Sequence, residues 1–509
     1  MLRVLRSAAM AMAMDATDAR NVLRSCDLRH VTKLAKRPDD AEATEAVACA
    51  AEARFGKERG RDAVMSVAAD LRQVRQMAVQ HLVERLRGDV AETARQHDDR
   101  TQRETAWECL VELMADADEP LARTALESVR ENFQLAHEFP QSRRKIAAMA
   151  EEESAIVRFR ALEVLSRLDA AHSLQLAVEE IDAERDVLTI CSGLDAICTI
   201  ARDDPLTTIT HCTRPIVKLL SQPGLDEAVH GHAVAASARL ASLAVEAQSK
   251  TRACVQEEGQ QQQSDPTVPY EHEHPMLLEL AAVIERELEH KNGCVALDAA
   301  YVMAEPYAGA HLTLDARMII APRIAQTALG STGAWSSGPR MSALRALASI
   351  CGCRRRDYEI LLTPLAEDRL HGLIFETLRA DNSTLGQIMH SVVTSPNLEA
   401  RGAAYELMGV LVLRSWAAVE ISSHAPLMEH ITDPRSEAAK SICELRYAAV
   451  KALLASCHGI RDASGEEHPI LTPSIPALEQ SVQLGIYGNG VGSGQEEQAR
   501  QFQIATMRR

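Results

Sequence analysis

Few stretches of this sequence combine residue types and spacings that could do chemistry. EHEHP, Glu271 to Pro275, alternates carboxylates and imidazoles as metal ligands do, but it borders a long polar segment, and a solvated loop is the better reading. HGH, His230 to His232, sets two imidazoles too close in sequence to share one helix face. CGC, Cys351 to Cys353, lacks a second Cys or His pair at zinc spacing and reads as small residues near a helix end. RRR, Arg354 to Arg356, is a short basic cluster suited to an acidic segment of a partner or, more simply, to a solvated turn. Trp416, in LRSWAAVEI, reads as core. There is no P-loop, no H-E-x-x-H and no G-x-S-x-G.

One further residue breaks a local rule. In SAIVRFRALEVLSRL, Ser154 to Leu168, a helix places Val157, Ala161, Leu162, Val164, Leu165 and Leu168 on a broad apolar face. Arg160, Glu163, Ser166 and Arg167 fall opposite, yet Arg158 projects into the apolar arc. A catalytic role is not required: the stem can lie along apolar neighbours while the guanidinium reaches an acid or a carbonyl of an adjacent element.

The elements that hold these residues are repeated. With Ala161 as position zero, the same pattern fits Ala78, Ala125, Gly193, Ala233, Ala296, Ala343, Ala403 and Ala449. Position +1 is then apolar throughout, and position +4 is apolar except at Ser237. A small residue, two apolar partners at helical spacing and a polar residue between them describe a helix packed on neighbouring helices. Most intervals lie near the roughly 40–47 residues of a HEAT or armadillo unit. The longer ones require insertions: a polar Gln-rich loop at residues 249–275, and a turn plus an extra helix within GCRRRDYEILLTPLAEDRLHG. Asp118 with Pro120, and Ser395 with Pro396, mark helix starts. The expected fold is therefore all-α: a HEAT/armadillo-type α-solenoid, a right-handed superhelix of helix pairs, over residues 20–457. Residues 1–19 form an N-terminal extension and 458–509 a polar, Gly-rich, mobile tail.

Position +2 carries the functional signal. Equivalent positions of a solenoid stack into a ridge. Here the ridge is acidic early, at Glu127, Glu163, Asp195 and Asp298, and carries Arg345, Tyr405 and Lys451 late. Such a graded surface suits a protein partner, and a plain solvated helix face is the competing reading.

Composition narrows the class. A net charge of −17 with 3% aromatics argues against nucleic-acid binding. No apolar run reaches the roughly 20 residues of a membrane span. Twelve scattered cysteines without a short-spaced framework suit reduced thiols and a cytoplasmic or nuclear setting. MLRVLRSAAMAMAM, with no acid before Asp15, is compatible with a transit segment or an upstream extension. No cofactor is expected, and the chain is expected to be a monomer on its own.

Three windows carry a resemblance: IVRFRALEVL (Ile156 to Leu165), SWAAVEISSHAPLMEHITDPRSE (Ser415 to Glu437) and ELRYAAVKALLAS (Glu444 to Ser456). They resemble segments of the non-ATPase regulatory subunit 5 family of the 26S proteasome, in which the nearest counterpart of a Gly-Pro-Tyr-Tyr-like tail element is here Gly485, Ile486, Tyr487, Gly488. The resemblance implies a HEAT/armadillo-like assembly chaperone of the regulatory particle base. Such a chaperone has no catalytic residues. It binds the C-terminal region of a proteasomal ATPase subunit and leaves by the time the mature proteasome forms. Two other classes remain: a generic repeat scaffold or transport adaptor, and an enzyme whose site is built from dispersed residues.

Overall fold

The computed structural model describes residues 96–152, 154–182, 185–258, 275–289, 293–315, 317–330, 338–356, 359–460 and 468–488, with positions 76, 79, 80, 82, 83 and 86. Among them lie 21 α-helices and no strand. They fall into two units, Met1–Asp204 and Pro205–Arg509.

The first unit contains α1 (Gln96–Leu113), α2 (Glu119–Glu131), α3 (Leu135–Glu138), α4 (Pro140–Met149), α5 (Ala155–Leu168), α6 (Ala170–Glu180) and α7 (Val187–Asp203). Helices α1 and α2, α4 and α5, and α6 and α7 pack as pairs. Helix α5 also touches both α2 and α7, so α2, α5 and α7 form one layer.

The second unit contains α8 (Pro205–Leu220), α9 (Glu227–Glu258), α10 (Pro275–Leu288), α11 (Gly293–Ala304), α12 (Tyr307–Thr313), α13 (Ile320–Leu329) and α14 (Gly338–Cys351). It continues with α15 (Pro364–Ala380), α16 (Leu385–Val393), α17 (Leu398–Leu411), α18 (Ser415–Ser422), α19 (Ala425–Thr432), α20 (Lys440–Gly459) and α21 (Ile475–Leu484). Helices α9, α11, α14, α17 and α20 stack in that order into one layer. Helices α8, α10, α13 and α15 run alongside, followed by α16, α18, α19 and α21.

Both layers consist of the helices that carry the repeat, and the reason is steric. Ala125, Ala161 and Gly193 in the first unit, and Ala233, Ala296, Ala343, Ala403 and Ala449 in the second, are all buried. A methyl group or less at these points lets neighbouring helix axes approach closely, and the larger +1 and +4 side chains fill the gaps. Leu162, Leu165, Leu344, Leu347, Val450 and Leu453 are sealed in this way. Ser237, the polar exception, is fully buried, and its hydroxyl donates to the Ala233 carbonyl at 2.9 Å, so no donor is stranded. The chain is an all-α solenoid of helix pairs. Ala78 lies outside the described residues.

Several boundaries differ from the sequence reading. Helix α9 runs to Glu258, so the first part of the expected 249–275 loop is helical; residues 259–274 lie outside the described residues, EHEHP up to His274 among them. The extra helix within the second long interval is α15. Asn397, not Ser395, caps α17, its side chain accepting from the amides of Glu399 at 2.9 Å and Ala400 at 3.1 Å. Asp118 precedes α2 and Pro120 sits in its first turn, but the Asp118 side chain makes no cap hydrogen bond. The expected polar tail holds α21, which buries Leu478 and packs on α19 and α20, and Leu471, four residues before the helix, is buried too. One apolar side chain on a short helix and a second just before it suffice to dock the segment, although the flanking composition is polar.

Candidate protein-docking face

The +2 row follows from the same geometry that buries position zero, because residues two apart on a helix face roughly opposite ways. In the first unit Glu127 and Asp195 are exposed and Glu163 is half-buried. Glu127 lies 3.9 Å from Arg123, and Glu163 lies 3.8 Å from Arg130 on α2. Burial pushes the Glu163 carboxyl above its ordinary range, opposed by Arg130 and, to a smaller extent, by Arg202 and Arg123. In the second unit Asp298, Arg345 and Lys451 are exposed. Arg345 lies 3.8 Å from Glu399, and the Lys451 ammonium sits 5.8 Å from the Tyr447 ring centre.

Tyr405 does not belong with them. It is 1% exposed, and its hydroxyl donates to Glu437 Oε1 at 3.0 Å. The Glu437 carboxylate is fully enclosed, with Arg401 at 3.6 Å and His430 at 3.7 Å. Burial first, then the Glu437 charge and the hydrogen bond to it, drive the Tyr405 phenol far above its usual range. The expectation of a solvent-facing tyrosine fails because a buried acceptor reaches it from the segment before α20. A polar ring tip with such a partner is stable inside.

Arg158 answers the question its position raises. Its guanidinium donates to Glu180 Oε2 at 3.0 Å and to the Glu152 carbonyl at 2.7 Å. Arg340 and Arg446 occupy the same register, three residues before Ala343 and Ala449. Arg340 donates to the carbonyls of Ala328 and Gly330 at the end of α13. Arg446 donates to Ile431 at 2.7 Å, at the end of α19, and to Ile486 at 3.1 Å. These arginines satisfy carbonyls that helix ends leave open. The sequence reading missed this column, although the recurring arginine at one register was its available signal. Arg160, expected on the wet face, is buried and joins the set: it donates to Met114 O at 2.8 Å and pairs with Glu119. Arg355, within RRR, likewise reaches the carbonyls of Ser349 and Ile350, while Arg354 lies 5.2 Å over the Tyr301 ring. That triplet is therefore only partly a solvated turn. Trp416 is half-buried beside His371 and Phe375, at ring separations of 4.8 and 5.8 Å.

The layer of the second unit also carries an open pocket of about 330 Å³ between α14, α17 and α20. Gly409, Ala448, Ala449 and Ala452 line it, together with Arg354 and Glu406. Cys353 lines it, but burial and the nearby Glu406 push that thiol up to about 11. Cys351 is pushed up to about 11 as well, mainly by burial. Neither thiol is a ready nucleophile near neutral pH. His390, His424 and His430 cluster with ring centres 5.5 and 6.4 Å from His390. Among the described residues no group of three or more His, Cys, Asp or Glu is placed to hold a metal ion, and no helix is long and apolar enough to cross a membrane.

No family model matches the chain, and no curated protein matches it. Solved structures do. Importin beta is similar at 12% identity and a TM-score of 0.42, over 92% of this chain and 60% of that one. An engineered protein matches at 16% identity and a TM-score of 0.37, over 94% of this chain and 98% of that one. A designed armadillo repeat protein matches at 16% identity and a TM-score of 0.25, over 68% and 99%.

Proposed function

We propose that this protein is a non-enzymatic interaction scaffold whose protein partner docks on the open faces of the repeat-bearing layers of its units. The observation that carries the reading is a set of ionisable side chains in register within each unit: Glu127, Glu163 and Asp195 on three contacting helices of the first, and, separately, Asp298, Arg345 and Lys451 on repeat-bearing helices of the second. Charges held in register on a rigid helical layer steer encounter and select a partner. The buried arginines, by contrast, are engaged with carbonyls and carboxylates of the fold itself. The windows Ile156 to Leu165, Ser415 to Glu437 and Glu444 to Ser456 favour a finer reading, an assembly chaperone of the 26S proteasome regulatory particle base that holds one of its ATPase subunits.

The test is capture of separately expressed base ATPases by the wild-type protein and by Glu163→Lys combined with Arg345→Glu. Capture of one ATPase, weakened by added salt and by the double reversal, is the expected result. If the wild type captures none, the chaperone reading falls and the general scaffold takes its place. If the double reversal binds as well as the wild type at low salt, the row is not the contact surface.

A further inference from the structure

The first unit exposes apolar side chains where a solvated layer has no use for them. Ile156 is 61% exposed and Leu188 is 78% exposed. Each lies five residues before a position-zero residue, Ala161 on α5 and Gly193 on α7. Pro120, also exposed, occupies the same register before Ala125 on α2. Since α2 touches α5 and α5 touches α7, the three make one row across the N-terminal ends of the layer. Aligned exposed apolar groups of this kind mark an interaction surface rather than chance exposure.

The row has a fixed relation to the acidic one. Positions −5 and +2 are seven residues apart, so they lie on the same helix face about 10.5 Å apart along it. Glu127, Glu163 and Asp195 thus run parallel to Pro120, Ile156 and Leu188. On the other side of the apolar row stand the exposed carboxylates of Glu151, Glu152 and Asp186. Arg123, Arg185 and Arg202 are the exposed bases nearby; Arg123 is already matched by Glu127, and the Arg202 charge acts on Glu163. The balance of exposed charge around the row is acidic.

From this we infer that α2, α5 and α7 dock a basic amphipathic helix of a protein partner, laid across the three N-terminal ends. Packed helices stand about 8–10 Å apart. A helix repeats one face every seven residues, about 10.5 Å, so apolar side chains at i, i+7 and i+14 meet Pro120, Ile156 and Leu188 in turn. An extended strand fits poorly: residues on one of its faces recur every 6.6 Å or so. Lysines and arginines on both flanks of the helix face the two carboxylate rows. The same carboxylates repel an anionic membrane surface. The inference rests on the scaffold reading and specifies what kind of segment the scaffold holds.

The experiment uses the full chain and a fluorescent synthetic peptide of about three heptads with Leu at every seventh position and Lys on both flanks. Fluorescence anisotropy should show saturable binding that salt weakens. Ile156→Asp with Leu188→Asp should weaken it about tenfold or more. Both side chains are exposed, so the circular dichroism and melting curve of the variant should match the wild type. Ile156→Leu with Leu188→Ile should retain binding. A peptide with Glu in place of Lys should not bind. No saturable binding of the basic peptide, or equal binding by the Asp variant, overturns the inference. So does a wild-type dimer in sedimentation that the Asp variant loses, because a second copy then owns the row. Peptide binding without capture of any ATPase removes the proteasome reading and leaves this inference standing. ATPase capture without peptide binding does the reverse.

Discussion

The hydroxyl of Tyr405 donates to Oε1 of Glu437 at 3.0 Å, joining α17 to the segment before α20 inside a sealed pocket. Replacing the donor leaves a buried carboxylate with Arg401 and His430 alone. Tyr405→Phe is therefore expected to destabilise the protein by about 1–3 kcal/mol, the cost of an unsatisfied buried acceptor. Urea unfolding followed by far-ultraviolet circular dichroism measures it. An unchanged midpoint would remove the structural role given to this hydroxyl.

Arg446 holds two carbonyls at once, Ile431 O and Ile486 O. Arg446→Met keeps much of the stem's packing and removes both bonds. Each carbonyl left open in the interior costs roughly 1–3 kcal/mol. Because Ile486 follows α21, the variant should also free the end of that helix. Limited proteolysis should then cut earlier near residues 485–488 than in the wild type, while cleavage in α5 to α7 stays the same.

Acid should weaken the second unit. Burial, with help from His390, depresses His424 below its ordinary 6.5. Burial also depresses His430, where His390 adds to the effect and Glu437 opposes it. The unfolded chain therefore binds more protons than the native state just below that value. Stability is retained above pH 6.5 and falls as pH drops below it and through the depressed values. His424→Gln with His430→Gln should flatten this dependence between pH 7 and 5. Urea midpoints at several pH values provide the check.

Glu163 titrates with the opposite sign. Its carboxyl is raised, so its favourable contribution is present below the ordinary carboxylate range and is lost as pH rises through the raised value. Glu163→Gln should thus stabilise the protein relative to wild type at neutral pH, with the gain vanishing toward pH 4. A gain that is independent of pH would point to packing instead of charge.

Two glycines should respond in opposite directions. A Cβ on Gly309 runs into the Met303 carbonyl oxygen and lies 3.3 Å from Pro306 Cδ, so Gly309→Ala forces backbone apart and should cost about 1–3 kcal/mol. A Cβ on Gly372, in α15, meets nothing within 4 Å. Gly372→Ala should stabilise by about 0.4–1 kcal/mol through the unfolded chain's lost freedom. Thermal melts of the pair compare the two directly.

The repeat was legible in the sequence because its cause is local. Helical periodicity places Ala161, Leu162 and Leu165 on one side of a single helix, and burial of that side needs no knowledge of which helix covers it. The same periodicity put Glu127, Asp195, Asp298, Arg345 and Lys451 on the open face, where they stand. Tertiary structure decided whatever depends on a distant partner. Tyr405 shares the +2 register, yet Glu437, 32 residues on, draws it inside. Arg340 and Arg446 look like interruptions of an apolar face until the carbonyls they satisfy are seen, and a backbone carbonyl carries no residue-type signature. Ile156 and Leu188 share the +2 face of their helices, and the sequence reading did not single them out. The stacking of α2, α5 and α7 decides that they align in one row with no neighbouring helix over them, because exposure belongs to the packed assembly of helices and not to any one of them.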